Sequence, residues 1–134
     1  MPKIDALFQK MFEQGASDLH VVVGLPPMIR LHGDLFPLEG QPALPPETTR
    51  DLLFEVMNDK QRESFVQNLD FDMAYDYVGI CRFRCNILNT RKGVQAVFRI
   101  IPTKIKTLAD LKMPEALRGL SELRQGLVLV TGPT

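Results

Sequence analysis

The residues of this 134-residue chain best suited to chemistry are three arginines, Arg82, Arg84 and Arg99. They sit in two stretches that alternate with period two. Cys81, Phe83, Cys85 and Ile87 alternate with Arg82, Arg84 and Asn86. Val94, Ala96, Phe98 and Ile100 alternate with Gln95, Val97, Arg99 and Ile101. Each reads as a strand with one apolar face. Between them Thr90-Arg91-Lys92-Gly93 reads as a four-residue hairpin loop, with Gly93 where the backbone must turn left-handed. Closing that loop on Asn89 opposite Val94 sets Ile87 against Ala96, Cys85 against Phe98 and Phe83 against Ile100. The apolar face is then continuous across both strands, which selects the register. The same register puts Arg84 directly opposite Arg99, where like charges repel. Two arrangements relieve this. The two planar guanidinium groups share an anion, for which phosphate oxygens are well matched. Alternatively, each pairs with a local carboxylate such as Asp72 or Asp76 on the preceding strand. Arg82 shares the face of Arg84 and either assists it or is plain surface.

Other chemistry-bearing groups are sparser. Asp18 and His20 stand two residues apart and share a strand face. A general base is conceivable there, and a hydrogen-bonded structural pair is the simpler expectation. His32 falls at a turn and is expected to be solvated. Cys81 and Cys85 lie about 13 Å apart if they share a strand, too far for a mutual disulfide. They read as small buried residues, and two cysteines with two histidines make a poor zinc set. Gly126-Leu-Val-Leu-Val-Thr131 is short and β-branched, as a buried parallel strand would be. It runs into Gly132, Pro133 and Thr134. A strand that opens into a glycine turn is how the phosphate loop G-x-x-x-x-G-K-[ST] begins. Taken alone, these three residues also suit an ordinary turn. A parallel strand wants neighbours on both sides, so the chain reads as cut from a longer protein.

These groups must be positioned by a small α/β scaffold. Residues 3–14 carry Ile4, Leu7, Phe8, Met11 and Phe12 on one helical face. Segments 18–23, 28–31 and 35–38 read as three short antiparallel strands with turns at Pro26-Pro27 and His32-Gly33-Asp34. Residues 39–46 form a proline-rich loop. Two abutting helices follow, one begun at Pro46, the other capped by Asn58 or Asp59 and facing inward through Phe65, Val66 and Leu69. Residues 70–78 return to strand, residues 103–113 are linker-like, and Pro114–Leu123 is a short helix. Sixteen basic side chains balance sixteen acidic ones, which argues against a general nucleic-acid binder. Hydrophobic residues make up 45% and charged residues 24%, the composition of a globular domain rather than a disordered chain. No apolar run approaches membrane-spanning length, and the first residues do not read as a signal peptide.

Several segments in order resemble one family. Ala16-Ser-Asp-Leu-His20, Gly24-Leu-Pro-Pro-Met-Ile-Arg30 and Gly33-Asp34 look like the opening of the secretion ATPase superfamily. Met57-Asn-Asp-Lys-Gln-Arg62, Arg82-Phe-Arg-Cys-Asn86, Arg91, Gly93 and Ala96-Val-Phe-Arg-Ile-Ile-Pro102 are similar to its PilT-like branch, the retraction ATPases of type IV pili. Gly126–Thr134 resembles the strand and first turn of that branch's phosphate loop. The resemblance implies an α/β (α+β) fold: a PAS-like N-terminal domain over 1–102, a linker over 103–113, and the first helix and strand of a truncated RecA-like domain over 114–134. It implies that the whole protein is a hexameric ring on the cytoplasmic side of the inner membrane, working on the pilus platform. It implies ATP and Mg2+ there, with Arg84 and Arg99 directed at the nucleotide phosphates and Gly132, Pro133 and Thr134 opening the phosphate loop. The remaining motor motifs are not in these residues, so the 134-residue chain is expected neither to hydrolyse ATP nor to bind nucleotide tightly. No nucleic acid and no membrane insertion are expected. One rival is a stand-alone PAS-like interaction module without nucleotide chemistry, which would not need the 126–134 segment. Another is an RNA-binding sheet, but Phe83 and Phe98 lie on the face opposite the arginines, away from where bases would stack.

Overall fold

The computed structural model describes residues 2–77, 79–102 and 105–132. They fall into two compact units, Met1–Thr103 and Lys104–Thr134. The first unit is built from α1 (Asp5–Glu13), β1 (Asp18–Val21), β2 (Met28–Leu31), β3 (Asp34–Pro37), α2 (Pro46–Glu55), α3 (Asp59–Asn68), β4 (Asp70–Tyr77), β5 (Cys81–Thr90) and β6 (Gly93–Ile101). Its six strands form one antiparallel sheet in the order β3-β2-β1-β6-β5-β4. The first strand therefore lies between its own hairpin partner β2 and the last strand β6.

One face of the sheet makes the core. Leu19, Val21, Ile29, Phe83, Cys85, Ile87, Ala96 and Phe98 are buried in a single cluster with Phe8 and Met11 of α1, Leu52 and Leu53 of α2 and Phe65 of α3. Phe8 is the hub. Its ring stacks on Phe83 at 4.4 Å between centroids and meets Phe98 edge-on at 5.0 Å. Such pairs add to the area they bury. Local signals set the helices: Pro46 opens α2 at a position where its missing N–H costs nothing. Asn58 and Gln61 form a reciprocal capping box at the start of α3. The helix between 3 and 14, the three-strand meander and both abutting helices are where the sequence pattern puts them, but of the inward face expected for α3 only Phe65 is buried: Val66 is exposed, and so is Leu69, which caps the helix in a left-handed conformation.

The β5–β6 register agrees with the apolar pairing expected from sequence, with Ile87 opposite Ala96, Cys85 opposite Phe98 and Phe83 opposite Ile100. The loop is shorter than the four residues expected. Thr90 pairs with Gly93, so only Arg91 and Lys92 turn the chain. Gly93 takes φ +128°, and a Cβ there would stand 3.4 Å from both Pro46 and Val23. The Thr90 hydroxyl stabilises the turn: it donates to the Gly93 carbonyl at 3.0 Å and accepts from the Lys92 amide at 3.2 Å.

The second unit contains α4 (Ala116–Ser121), within the helix expected after Pro114. The strand expected at 126–131 is not formed. Leu127, Leu129 and Val130 are largely exposed. β-branched composition favours a pleated surface, but a strand exists only where a neighbour completes its ladder, and none among the described residues does so. Among the described residues no helix is long and apolar enough to cross a membrane.

Phe8→Ala should remove the hub of the core and cost about 3–5 kcal/mol. Urea unfolding would show it as a lower midpoint with an unchanged slope; a loss below about 1 kcal/mol would contradict the packing described.

Candidate anion-binding site

The face of the sheet opposite the core carries the charges. A single row crosses four strands: Arg30 on β2, Asp18 on β1, Arg99 on β6 and Arg84 on β5 are neighbours in register. Alternation inward and outward along each strand delivers all four to this face. Arg84 stands directly opposite Arg99, as the sequence register requires.

Carboxylates on either flank answer the repulsion. The Arg99 Nε donates to Asp18 Oδ1 at 2.7 Å. Asp18 Oδ2 accepts from the Ser17 hydroxyl at 2.7 Å and lies 3.5 Å from Arg30 Nε. Arg30 is further held by donation from Nη1 to the Gly33 carbonyl at 2.6 Å. On the other flank Arg84 donates from Nη2 to Asp72 Oδ2 at 2.6 Å and from Nε to the same oxygen at 3.2 Å. The two carboxylates differ sharply in setting: the Asp18 side chain is 3% exposed and that of Asp72 is 47% exposed. Arg84, Arg99, Asp72, Asn86 and Val97 line a shallow cavity of about 210 Å³. Together with Asp72, which lies off the row opposite Asn86, the charged groups of the row are three guanidiniums against two carboxylates, a net positive charge.

Protonation follows the geometry. Burial alone would raise the Asp18 carboxyl, but hydrogen bonds from Ser17 and Arg99 and the charges of Arg99 and Arg30 outweigh it and hold the group below its ordinary value. Asp72 is lowered by its hydrogen bonds from Arg84, and the same contact raises Arg84. His20 is lowered, first by burial and then by the charge of Arg30, with Asp18 opposing. Cys85 is pushed up to about 12 by burial and by the Asp72 charge, and burial raises Cys81 as well. Both thiols are free, and both are poor nucleophiles at neutral pH.

The structure sorts the sequence candidates. Arg84 and Arg99 come together in one cavity, and each also has a carboxylate. For Arg84 that partner is Asp72, one of the two expected; for Arg99 it is Asp18, on a strand the local pattern did not connect to it. Arg82 pairs with Asp76 at 3.4 Å and does not line the cavity. The hydrogen-bonded pair expected between Asp18 and His20 is not formed: His20 Nε2 is buried without a partner among the described residues. Both oxygens of Asp18 are already engaged by Ser17, Arg99 and Arg30. His32 is exposed at the β2–β3 turn with φ 51°. Gly132 lies in the second unit without regular structure, while Pro133 and Thr134 fall outside the described residues. Arg30 is a site residue that sequence reasoning did not single out, and Asp18, read there with His20, was not connected to Arg99. The signal that would have found them is the β1–β6 pairing, which no local pattern announces.

No family model matches the chain. It is 46% identical over 122 residues to the type IV pilus retractation ATPase PilT of Pseudomonas aeruginosa, an alignment covering 91% of this chain and 35% of that protein. It is 39% identical to the type IV pilus ATPase PilU of the same organism, over 98% of this chain and 34% of that one. The chain thus spans about a third of the length of these curated relatives. Among solved structures, that of the pilus retraction motor PilT with bound ADP superposes with a TM-score of 0.86 at 36% identity, over 98% of this chain and 38% of that chain. The ATPase DotB of Legionella pneumophila, at 20% identity and a TM-score of 0.65 over 87% of this chain and 33% of that one, shares the fold.

Asp18→Asn should cost about 1–3 kcal/mol at neutral pH, because the buried acceptor loses the charge that holds Ser17, Arg99 and Arg30 to it. The sign of its pH dependence follows from a lowered carboxyl. The stability due to Asp18 is complete above the unfolded value of about 3.9 and is lost as pH falls through the lower folded value. His20 acts with the same sign in a higher window, its neutral form being favoured on folding as pH rises to about 6.5. Unfolding followed from pH 7 to pH 3 should show a shallower acid limb in Asp18→Asn, and parallel limbs would contradict the ion pairing of the buried Asp18 carboxylate.

Proposed function

Since the chain is homologous to the PilT-like pilus ATPases over about a third of their length, we propose that it is the N-terminal domain of a hexameric motor ATPase that powers type IV pilus retraction and twitching motility. In this reading residues 1–102 are a PAS-like domain, 103–113 a linker and 114–134 the start of a RecA-like motor domain. Gly132, Pro133 and Thr134 open its phosphate loop. The ring works at the cytoplasmic face of the inner membrane against the pilus platform.

The observation that carries the proposal is the placement of Arg84 opposite Arg99 at one small cavity. At about 210 Å³ it is smaller than the roughly 300–1,000 Å³ of sites that enclose a whole small molecule. Phosphate groups suit it better than a complete nucleotide. The donor chemistry fits as well: planar guanidinium forks match phosphate oxygens. Phosphoryl transfer gathers negative charge on the transferred oxygens, and arginines aimed at them stabilise it. Among the described residues no group of three His, Cys, Asp or Glu side chains is placed to hold a metal ion. ATP binding and hydrolysis would turn the N-terminal domain against the motor domain, and that motion would drive retraction.

In the complete protein, Arg84→Ala or Arg99→Ala should lower ATP turnover by about tenfold or more while changing ATP affinity by less than about threefold. Turnover unchanged in both variants would sink the assignment. The 134-residue chain alone should release no phosphate from ATP, and magnesium-dependent release by the purified chain would contradict the division into two parts.

A further inference from the structure

The two arginines are held in different ways. Arg99 commits only its Nε to Asp18; among the described residues its Nη groups donate no hydrogen bond, and its side chain is 67% exposed. Asp18 itself cannot follow a ligand, being buried and tied at its other oxygen to Ser17 and Arg30. Arg99 is thus oriented from behind with its outer donors available.

Arg84 is the reverse. Its Nε and Nη2, one of its two edges that could grip an anion with two donors, are both spent on Asp72, although the side chain is 69% exposed and Nη1 donates no hydrogen bond among the described residues. Asp72 is half-exposed on the edge strand β4 and makes no hydrogen bond other than those from Arg84 among the described residues. The pair is also diagonal. Asp72 lies opposite Asn86, and the position opposite Arg84 is occupied by Ala74. A small side chain there leaves Arg84 room to swing. Exposed ion pairs contribute little to stability, so release is cheap, and a polyphosphate brings more charge than one carboxylate.

We propose that Asp72 is a displaceable competitor that masks Arg84 until a polyphosphate takes its place, whereas Asp18 is a permanent positioning residue that keeps Arg99 ready. This rests on the phosphate-binding reading of the cavity. It makes engagement of the second arginine depend on the charge of the ligand, and it gives Asp72 a role in setting affinity.

The test uses the 134-residue chain with inorganic tripolyphosphate as probe, binding by calorimetry, and the Nε–Hε NMR signals of Arg84 and Arg99. In the unsubstituted chain both signals should move on titration. Asp72→Asn should bind about two- to fivefold tighter, the Arg84 signal should start from a shifted position without ligand, and the Arg99 signal should not. The gain should vanish when Arg84→Ala is added. Asp76→Asn removes an equal charge outside the cavity and should give no comparable gain. Equal or weaker binding by Asp72→Asn, with Arg84→Ala still weakening binding, would overturn the masking role and leave the phosphate site standing. An equal gain from Asp76→Asn would reduce the effect to general electrostatics and also overturn it. Static arginine signals and no binding in any form would overturn the phosphate reading itself.

Discussion

The inward face of the β5–β6 hairpin decides where every charge on the outward face must stand. Phe83, Cys85 and Ile87 fill the space under α1 only when they lie against Ile100, Phe98 and Ala96. A slip of one residue would turn the apolar set to solvent and the arginines into the core, so this register is strongly held. Holding it forces two guanidinium groups into direct opposition on the other face. The sheet answers by flanking the pair: β1 brings Asp18 to Arg99, and β4 brings Asp72 to Arg84. Packing energy on one face thus sustains charge crowding on the other.

Much of this was legible before the structure. Period-two alternation located β5 and β6, and continuity of the apolar face located their register, because both are local or nearly so. Proline at the start of α2 and the Asn58 cap of α3 are equally local. The insertion of β1 between β2 and β6 was not legible. Strand order depends on which distant edges meet, and nothing within Asp18–Val21 names Val97 or Arg99 as a neighbour. Asp18 was accordingly read with His20, its neighbour along the strand, and not with Arg99, its neighbour across it. The two-residue turn at Arg91-Lys92 was missed for a smaller reason: Thr90 can enter the ladder because its hydroxyl satisfies the turn it closes. The apolar run at 127–130 shows the converse limit, since strand composition without an adjoining ladder gave no strand.

The two flanking carboxylates solve the same electrostatic problem at different depths. A buried carboxylate loses water and must recover that loss from fixed partners, and Asp18 has three of them. Its geometry is correspondingly rigid, and so is that of the arginine it holds. Asp72 keeps its contact with water and needs Arg84 much less. Depth of burial therefore separates a fixed cation from an exchangeable one within a single row of the sheet.

That separation bears on what so small a cavity can contribute to a nucleotide reaction. Two arginines at a site of about 210 Å³ supply charge and hydrogen-bond donors but little enclosing surface. Base and sugar would need to be held by other parts of the complete protein, and the arginines would add their share only where phosphates arrive. In the proposed function, an arrangement of that kind would couple the position of this domain to the charge state of a ligand held elsewhere. Motion of the domain relative to the rest of a motor is the mechanical form such coupling would take. Cross-strand opposition of two like charges is costly in isolation, and under the proposed function a polyanion at this cavity would relieve that cost.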